Sequence, residues 1–127
     1  MIARRTAVVK QLPERVGLNQ VQQLSRELDS LLDVDRPWLV LDCSEVRHLD
    51  SAGIEMLLRC MELAMKRNGD VKLAAVSSHV AVILELTRVD RLFEIFEKPA
   101  DAVESFHRFQ VQAFWQAAAP KQHVAIG

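Results

Sequence analysis

The chain is short of cysteine, glycine and long apolar stretches, and each shortage excludes a class of protein. Its two cysteines, Cys43 and Cys60, form no CxxC pair, so we expect reduced thiols in a cytoplasmic protein. The glycines are isolated, which excludes a glycine-rich loop that cradles phosphate. The longest wholly apolar run covers residues 80–84, far below the roughly 20 residues of a transmembrane helix. We also expect no signal peptide, because no apolar segment follows the charged N-terminus.

Neither charge nor histidine spacing points to a nucleic-acid or metal site. The 16 Lys+Arg and 17 Asp+Glu residues give a formal net charge of -1. A nucleic-acid binder concentrates basic residues in patches or stripes, and this chain has no such run. The histidines are scattered without the spacing of metal ligands. We therefore expect no metal, no cofactor, no direct nucleic-acid contact and no membrane insertion.

Length and periodicity predict one α/β domain. The chain has 127 residues, half of them hydrophobic, which suffices for a core without disulfides. We assign residues 1–119 to the domain and 120–127 to a flexible tail. Strands alternate with helices, which favours a mainly parallel or mixed sheet of four to five strands. The strands are predicted at 6–12, 38–41, 71–76 and 94–97, and the helices at 19–32, 50–68, 79–87 and 99–118.

Individual residues refine this outline. The apolar run at 38–41 predicts a strand buried on both faces, and 43–49 is predicted as a loop. Asn19 and Asp50 are predicted helix caps, and Ser77 or Ser78 is predicted to cap the third helix. The helical repeat predicts inward side chains, which are Val21, Leu24, Leu28, Leu31 and Leu32, then Ile54, Leu57, Leu58, Met61, Ala64 and Met65, then Val80, Ile83 and Leu86, and finally Ala102, Phe106, Phe109 and Ala113.

The junction Asp50-Ser51-Ala52-Gly53 is the most informative segment. Asp50 is suited to cap the second helix, and Ser51 lies in the first turn with a reachable hydroxyl. Gly53 permits close approach of another backbone. A phosphate on Ser51 would lie near a helix N-terminus, which favours anions. The alternative is that Asp50 and Ser51 are caps and nothing more.

Two segments, LDCSEVRHLDSAGIEMLL and VAVILELTRVDRLF, resemble the signature of the STAS family, named for sulphate transporters and anti-sigma-factor antagonists. The resemblance implies a single STAS-like domain. In bacterial antagonists of this family, a kinase that is also an anti-sigma factor phosphorylates the serine after the motif aspartate, which is Ser51 here. The unphosphorylated form binds that kinase and frees the sigma factor, and a phosphatase restores it.

The resemblance therefore implies a non-enzymatic switch in signal transduction and transcription regulation, with an anti-sigma serine kinase and a phosphatase as partners. Asp50, Ser51 and Gly53 match the motif, and Ala52 fills its small position. We expect Gly53 to admit the partner, so that Gly53→Trp abolishes binding and leaves the fold largely intact. The predicted partner-binding residues are His48, Leu49, Asp50, Ser51, Ala52, Gly53, Ile54, Glu55 and Arg59.

The N-terminus of the chain departs from the family pattern. The family begins with two strands and a Gly-x-(Leu/Ile)-Asp turn, whereas residues 1–12 have room for one strand, which predicts a reduced N-terminal edge.

Some small STAS proteins are unphosphorylated accessory subunits of lipid-transport ATPases, which is the alternative function. A hydrolase using His48, Asp50 and Ser51 is disfavoured because neighbours in one loop cannot form a triad. Phe114 and Trp115 point away from the Phe106 and Phe109 stripe, so a homodimer through them is a further hypothesis.

Overall fold

The computed structural model describes residues 6–118, with side chains described as far as residue 108. This part of the chain contains six strands and four α-helices in the order β1-β2-α1-β3-β4-α2-β5-α3-β6-α4, and a 3₁₀ helix, Val89–Leu92, precedes the last strand. The strands are β1 Val8–Gln11, β2 Arg15–Val16, β3 Trp38–Asp42, β4 His48–Leu49, β5 Asp70–Ala74 and β6 Ile95–Phe96. The helices are α1 Val21–Leu32, α2 Ser51–Lys66, α3 Ser78–Leu86 and α4 Pro99–Ala118.

The main sheet has the order β1-β3-β5-β6, and all of its pairs are parallel. The continuous apolar sequence of β3 accounts for its position between β1 and β5, since Leu39, Val40 and Leu41 are buried. The predicted α/β class and the interior strand at 38–41 are thus confirmed. The predicted loop at 43–49 is wrong at its end, because β4 pairs with β2 in a separate parallel ladder.

The helices cover the two faces of the sheet unequally. One core lies between the sheet and α1, α2 and α3, and a smaller one lies under α4. The predicted stripe of α1 is confirmed by the buried Leu24, Leu28 and Leu32. The predictions for Met65 and Leu86 are wrong, since both are exposed. The buried arc of α2 runs through Leu57, Cys60 and Ala64 and that of α3 through Val80 and Leu84, so neither exposed residue lies on its helix's inner face.

Helix ends follow side-chain chemistry at two of the three caps described. Asp50 and Ser77 each accept a hydrogen bond from a backbone N–H of the helix that follows, as predicted. The predicted cap Asn19 is wrong, because α1 begins after Gln20. The Gln20 side chain accepts from the Gly17 N–H at 3.1 Å instead, so it stabilises the turn before the helix.

The smaller core contains a buried lysine. Lys72 of β5 is 5% exposed, and its Nζ donates to Ser105 Oγ at 2.6 Å and lies 3.1 Å from a Glu94 carboxylate oxygen. The same nitrogen lies 4.2 Å from the centre of the Phe106 ring. These contacts attach α4 to the sheet through one polar group. The predictions for Phe109, Ala113, Phe114 and Trp115, and for the tail 120–127, concern positions outside the residues whose side chains are described.

Within the described part of the chain, no helix is long and apolar enough to cross a membrane.

Cys43 and Cys60 are free thiols buried in the larger core. Burial raises the pKa of each thiol to about 12. Both therefore behave as small apolar core residues at neutral pH.

Candidate functional site

Asp50 joins the start of α2 to the turn before α1. It has extended backbone, and its Oδ1 accepts from the Gly53 N–H at 3.1 Å. Its Oδ2 accepts from the Leu18 N–H, also at 3.1 Å. These bonds, with the Gly53 bond the larger cause, lower the pKa of the carboxyl. Asp50 is thus ionised at neutral pH and holds two chain segments that are far apart in sequence.

Gly17 makes this bridge sterically feasible. A Cβ at Gly17 would lie 2.6 Å from Asp50 Oδ2. The Gly17 carbonyl also accepts from the N–H groups of Gln20 and Val21, which closes the turn into α1. The sequence did not predict the contact of Gly17 with Asp50, because the two are brought together by the pairing of β2 with β4.

The ladder between β2 and β4 supports the turn. Val16 is opposite Leu49 and is fully buried. The Glu14 carbonyl accepts from the N–H groups of Arg47 and His48 at 2.8 and 3.1 Å. This places the exposed His48 beside Asp50 and leaves Leu49 half-buried beneath them. Both residues were predicted in a loop, but backbone pairing holds them.

Gly53 has a different role from the one predicted. It is buried, and a Cβ there would lie 2.1 Å from the Val16 carbonyl oxygen and 2.8 Å from Leu49 Cδ1. The close approach that glycine permits is therefore to the chain's own β2. The expectation that Gly53→Trp leaves the fold intact is wrong, because an indole cannot enter this contact without displacing β2 from α2.

The remaining predicted partner-binding residues differ in how far their side chains are exposed. Ser51 is exposed in the first turn of α2, and its hydroxyl makes no hydrogen bond with the described residues. Glu55 is exposed one turn later, while Ala52 and Ile54 are half-buried. Arg59 is half exposed, but its guanidinium donates to the Asp29 carboxylate of α1 at 3.0 Å, so it holds two helices together.

Leu18 adds an apolar element that sequence reasoning missed. Its side chain is 73% exposed, and its N–H donates to the side chain of Asp50, the residue that precedes Ser51. One signal was available, because Leu18 precedes α1 and belongs to none of its inward positions. The exposed residues that surround this junction are Leu18, His48, Asp50, Ser51 and Glu55, and we call them the Ser51 surface.

The geometry of the Ser51 surface offers binding and does not form a catalytic triad. The Asp50 carboxylate is bound to the Gly53 and Leu18 N–H groups, whereas a triad needs it on a histidine nitrogen. Among the described residues, no group of His, Cys, Asp and Glu side chains could hold a metal ion. The surface presents the Ser51 hydroxyl, the Asp50 carboxylate, the exposed side chains of His48 and Glu55 and the exposed Leu18 on a closely packed frame.

Comparison with known proteins assigns the fold and its signature to a family. A family model described as "Mlab, STAS domain" matches residues 3–95. The chain belongs to the STAS family. Its STAS signature includes Asp50, Ser51 and Gly53, whose geometry is given above. A comparison with curated protein sequences finds no match.

Solved STAS structures share the architecture at low sequence identity. An anti-sigma-factor antagonist (STAS) domain protein from Planctomyces limnophilus is 20% identical, with a TM-score of 0.70 over 78% of this chain and 89% of that one. The SulP transporter STAS domain from Vibrio cholerae is 16% identical, with a TM-score of 0.66 over 87% of this chain and 89% of that one. These likenesses show the fold that antagonist and transporter STAS domains have in common.

Proposed function

We propose that this STAS protein is a non-enzymatic, phosphorylation-controlled binding module that docks an anti-sigma serine kinase through the Ser51 surface. The observation that carries the proposal is that Ser51 and Leu18 are both exposed on segments that Asp50 holds together. A kinase can reach this hydroxyl without unfolding α2. The protein acts in the cytoplasm, in agreement with its free thiols.

The same frame explains how a phosphate would act. The amides at the start of α2 already face the Asp50 carboxylate, which accepts from Gly53. A phosphate on Ser51 adds about -1.5 to -2 charge beside that carboxylate. It therefore lies beside a like charge that already accepts from the Gly53 N–H. The added charge and its desolvation cost weaken docking, and a loss of about 100-fold in affinity corresponds to about 2.7 kcal/mol.

The test is phosphorylation of the full chain by anti-sigma serine kinases encoded in the same genome, with the modified residue mapped by mass spectrometry. Ser78 is an internal control, because it is an exposed serine that begins α3 after the cap Ser77. We expect phosphate on Ser51 and none on Ser78. A reaction spread over both serines, or absent from Ser51, contradicts the proposal.

Binding to the same kinase separates the charge effect from a general loss of affinity. Ser51→Ala should bind like the unmodified protein, and Ser51→Asp should bind more weakly because it adds a carboxylate beside Asp50. Ser30→Asp is the control, since Ser30 is an exposed residue of α1 remote in sequence from the junction. Equal affinity of Ser51→Asp and Ser30→Asp for the kinase would contradict control by charge at Ser51.

The description of the matched family as "Mlab, STAS domain" favours a second candidate, an accessory subunit of a lipid-transport ATPase. In that role the Ser51 surface docks constitutively on the transporter subunit and Ser51 is not phosphorylated. Co-expression with the ATPase subunit of a lipid transporter from the same genome tests it. A stable complex that Ser51→Trp disrupts, together with no kinase reaction at Ser51, would establish the accessory role over the switch.

A further inference from the structure

In the part of the chain that the structure describes, the outer edge of β1 is open. β1 is the first strand in the sheet order, and no strand in the described part of the chain pairs with its outer side. Unpaired backbone groups along a sheet edge form a template for another strand, and natural proteins protect such edges. Protection comes from a short strand, a proline, a bulge or a charge, and β1 is short, at four residues, but contains neither a proline nor a bulge.

The residues of β1 leave its outer edge able to pair with another strand. The segment Val8–Gln11 contains no proline and pairs with β3 in continuous register. Its charged residue, Lys10, is bound through Nζ to a Glu27 carboxylate oxygen of α1 at 2.6 Å. Val8 is 41% and Val9 45% exposed. Because successive side chains of a strand alternate between faces, the two valines flank the edge on both sides.

The hydrogen-bonding pattern between β1 and β3 shows which backbone N–H and C=O groups of β1 face outward. The Leu12 N–H donates to the Asp42 carbonyl of β3 at 2.9 Å. In a parallel ladder, alternate residues of a strand bond the same neighbour. The backbone groups of Val8 and Lys10 therefore face β3, whereas those of Ala7, Val9 and Gln11 face outward. The open edge thus presents N–H and C=O groups centred on Val9.

We propose that this edge pairs with the same edge of a second copy, with the two β1 strands antiparallel about a two-fold axis at Val9. In that register Val9 lies opposite the same residue of the second copy, and Ala7 lies opposite Gln11. Each is a hydrogen-bonded pair that exchanges two bonds, which gives about six bonds across the axis. The result is a continuous sheet with four strands from each copy.

Charge and shape favour a second copy over a strand of different composition. The hydrogen-bonded pairs across the axis are uncharged, and Lys10, which lies opposite Val8 of the second copy, has its charge neutralised by Glu27 of its own chain at 2.6 Å, so repulsion across the edge is small. Val8 and the exposed Val34 line a shallow groove beside the edge, which extends the apolar contact on the α1 side. Val9 extends it on the α4 face, where its register partner Val40 is buried.

A charge-swap experiment tests both the edge and the two-fold axis. Sedimentation over a concentration series should show a monomer–dimer equilibrium for the full chain. Val9→Lys and Val9→Glu should each raise the dimer dissociation constant by about tenfold or more, because each places like charges opposite one another. An equimolar mixture of the two should restore dimerisation, since Lys then faces Glu. Val82→Lys, at a position of similar exposure on α3 (51%), should leave the dimer unchanged.

A cysteine variant provides a second measurement without adding a charge to the edge. Across a hydrogen-bonded antiparallel pair the Cα atoms are about 5.5 Å apart, within disulfide range. Val9→Cys should therefore form a covalent dimer on mild oxidation while the buried native thiols stay free, and Val82→Cys should not. A monomeric wild-type chain at every concentration overturns the proposal. A dimer that survives both Val9 charge variants overturns it as well, because the interface then lies elsewhere.

Discussion

Gly53→Ala is a sharp test of the frame beneath Ser51, because two physical effects of opposite sign meet at one methyl group. Helix propensity favours alanine over glycine by up to about 1 kcal/mol inside a helix. The backbone of Gly53 does not have a positive φ angle, so alanine can adopt its conformation. On propensity alone, the substitution should stabilise the protein.

Packing predicts the reverse. The new Cβ would lie 2.1 Å from the Val16 carbonyl oxygen, a backbone atom that cannot rotate away as a side chain can. Relief requires β2 to move away from α2, which weakens its ladder with β4 and the bond from the Asp50 N–H to the Val16 carbonyl. Overpacking of this kind costs about 1–3 kcal/mol. We expect a net loss in unfolding free energy, since this cost exceeds the propensity gain.

Urea unfolding measures the net effect, and amide hydrogen exchange locates it. The exchange of the His48 N–H, which donates to the Glu14 carbonyl, should accelerate if β2 is displaced. Ala52→Gly is the matched control, because Ala52 is half-buried in the same turn and should lose stability through propensity. A Gly53→Ala protein that is more stable than wild type, with His48 exchange unchanged, would refute the packing argument.

Three further predictions concern titration, reactivity and the attachment of α4. Asp50→Asn should make the unfolding free energy, measured by urea unfolding, fall less steeply as the pH is lowered into the acid range. The folded pKa of Asp50 is lowered, so its stabilising contribution is present above the unfolded pKa of about 3.9 and is lost as the pH falls through the folded pKa; an unchanged slope in that range would contradict this. Cys43 and Cys60 should resist alkylation at about pH 8 in the folded protein and react fully in denaturant, as counted by mass spectrometry, because burial raises the pKa of both thiols to about 12. Lys72→Ala should lower the unfolding free energy by about 2 kcal/mol or more, and Lys72→Met by clearly less, because methionine keeps the buried stem and loses the ammonium contacts with Ser105, the exposed Glu94 and the Phe106 ring; equal losses would show that the ammonium group dominates.

Sequence reasoning was most successful where one residue's chemistry is local. Asp50 could be predicted as a cap because its side chain bonds the helix it precedes, and the strand at 38–41 could be predicted from its continuous apolar run. Gly53 shows the limit. Its need for close approach was predicted, but the approaching backbone belongs to Val16, which is remote in sequence. That contact depends on a ladder of two short strands, and a two-residue strand has too little periodicity to be recognised.

The same non-local pairing determines what the Ser51 surface can do. Because Asp50 bonds both Gly53 and Leu18, the exposed leucine and the serine belong to one rigid unit rather than to two independent loops. A negative charge added at Ser51 therefore acts on a surface of fixed shape, and its effect on a partner is electrostatic before it is conformational. The β1 edge belongs to the main sheet, whereas Ser51 follows the separate β2–β4 ladder. Val9→Lys should consequently leave phosphorylation of Ser51 unchanged, and a dimer would present two Ser51 surfaces to its partners.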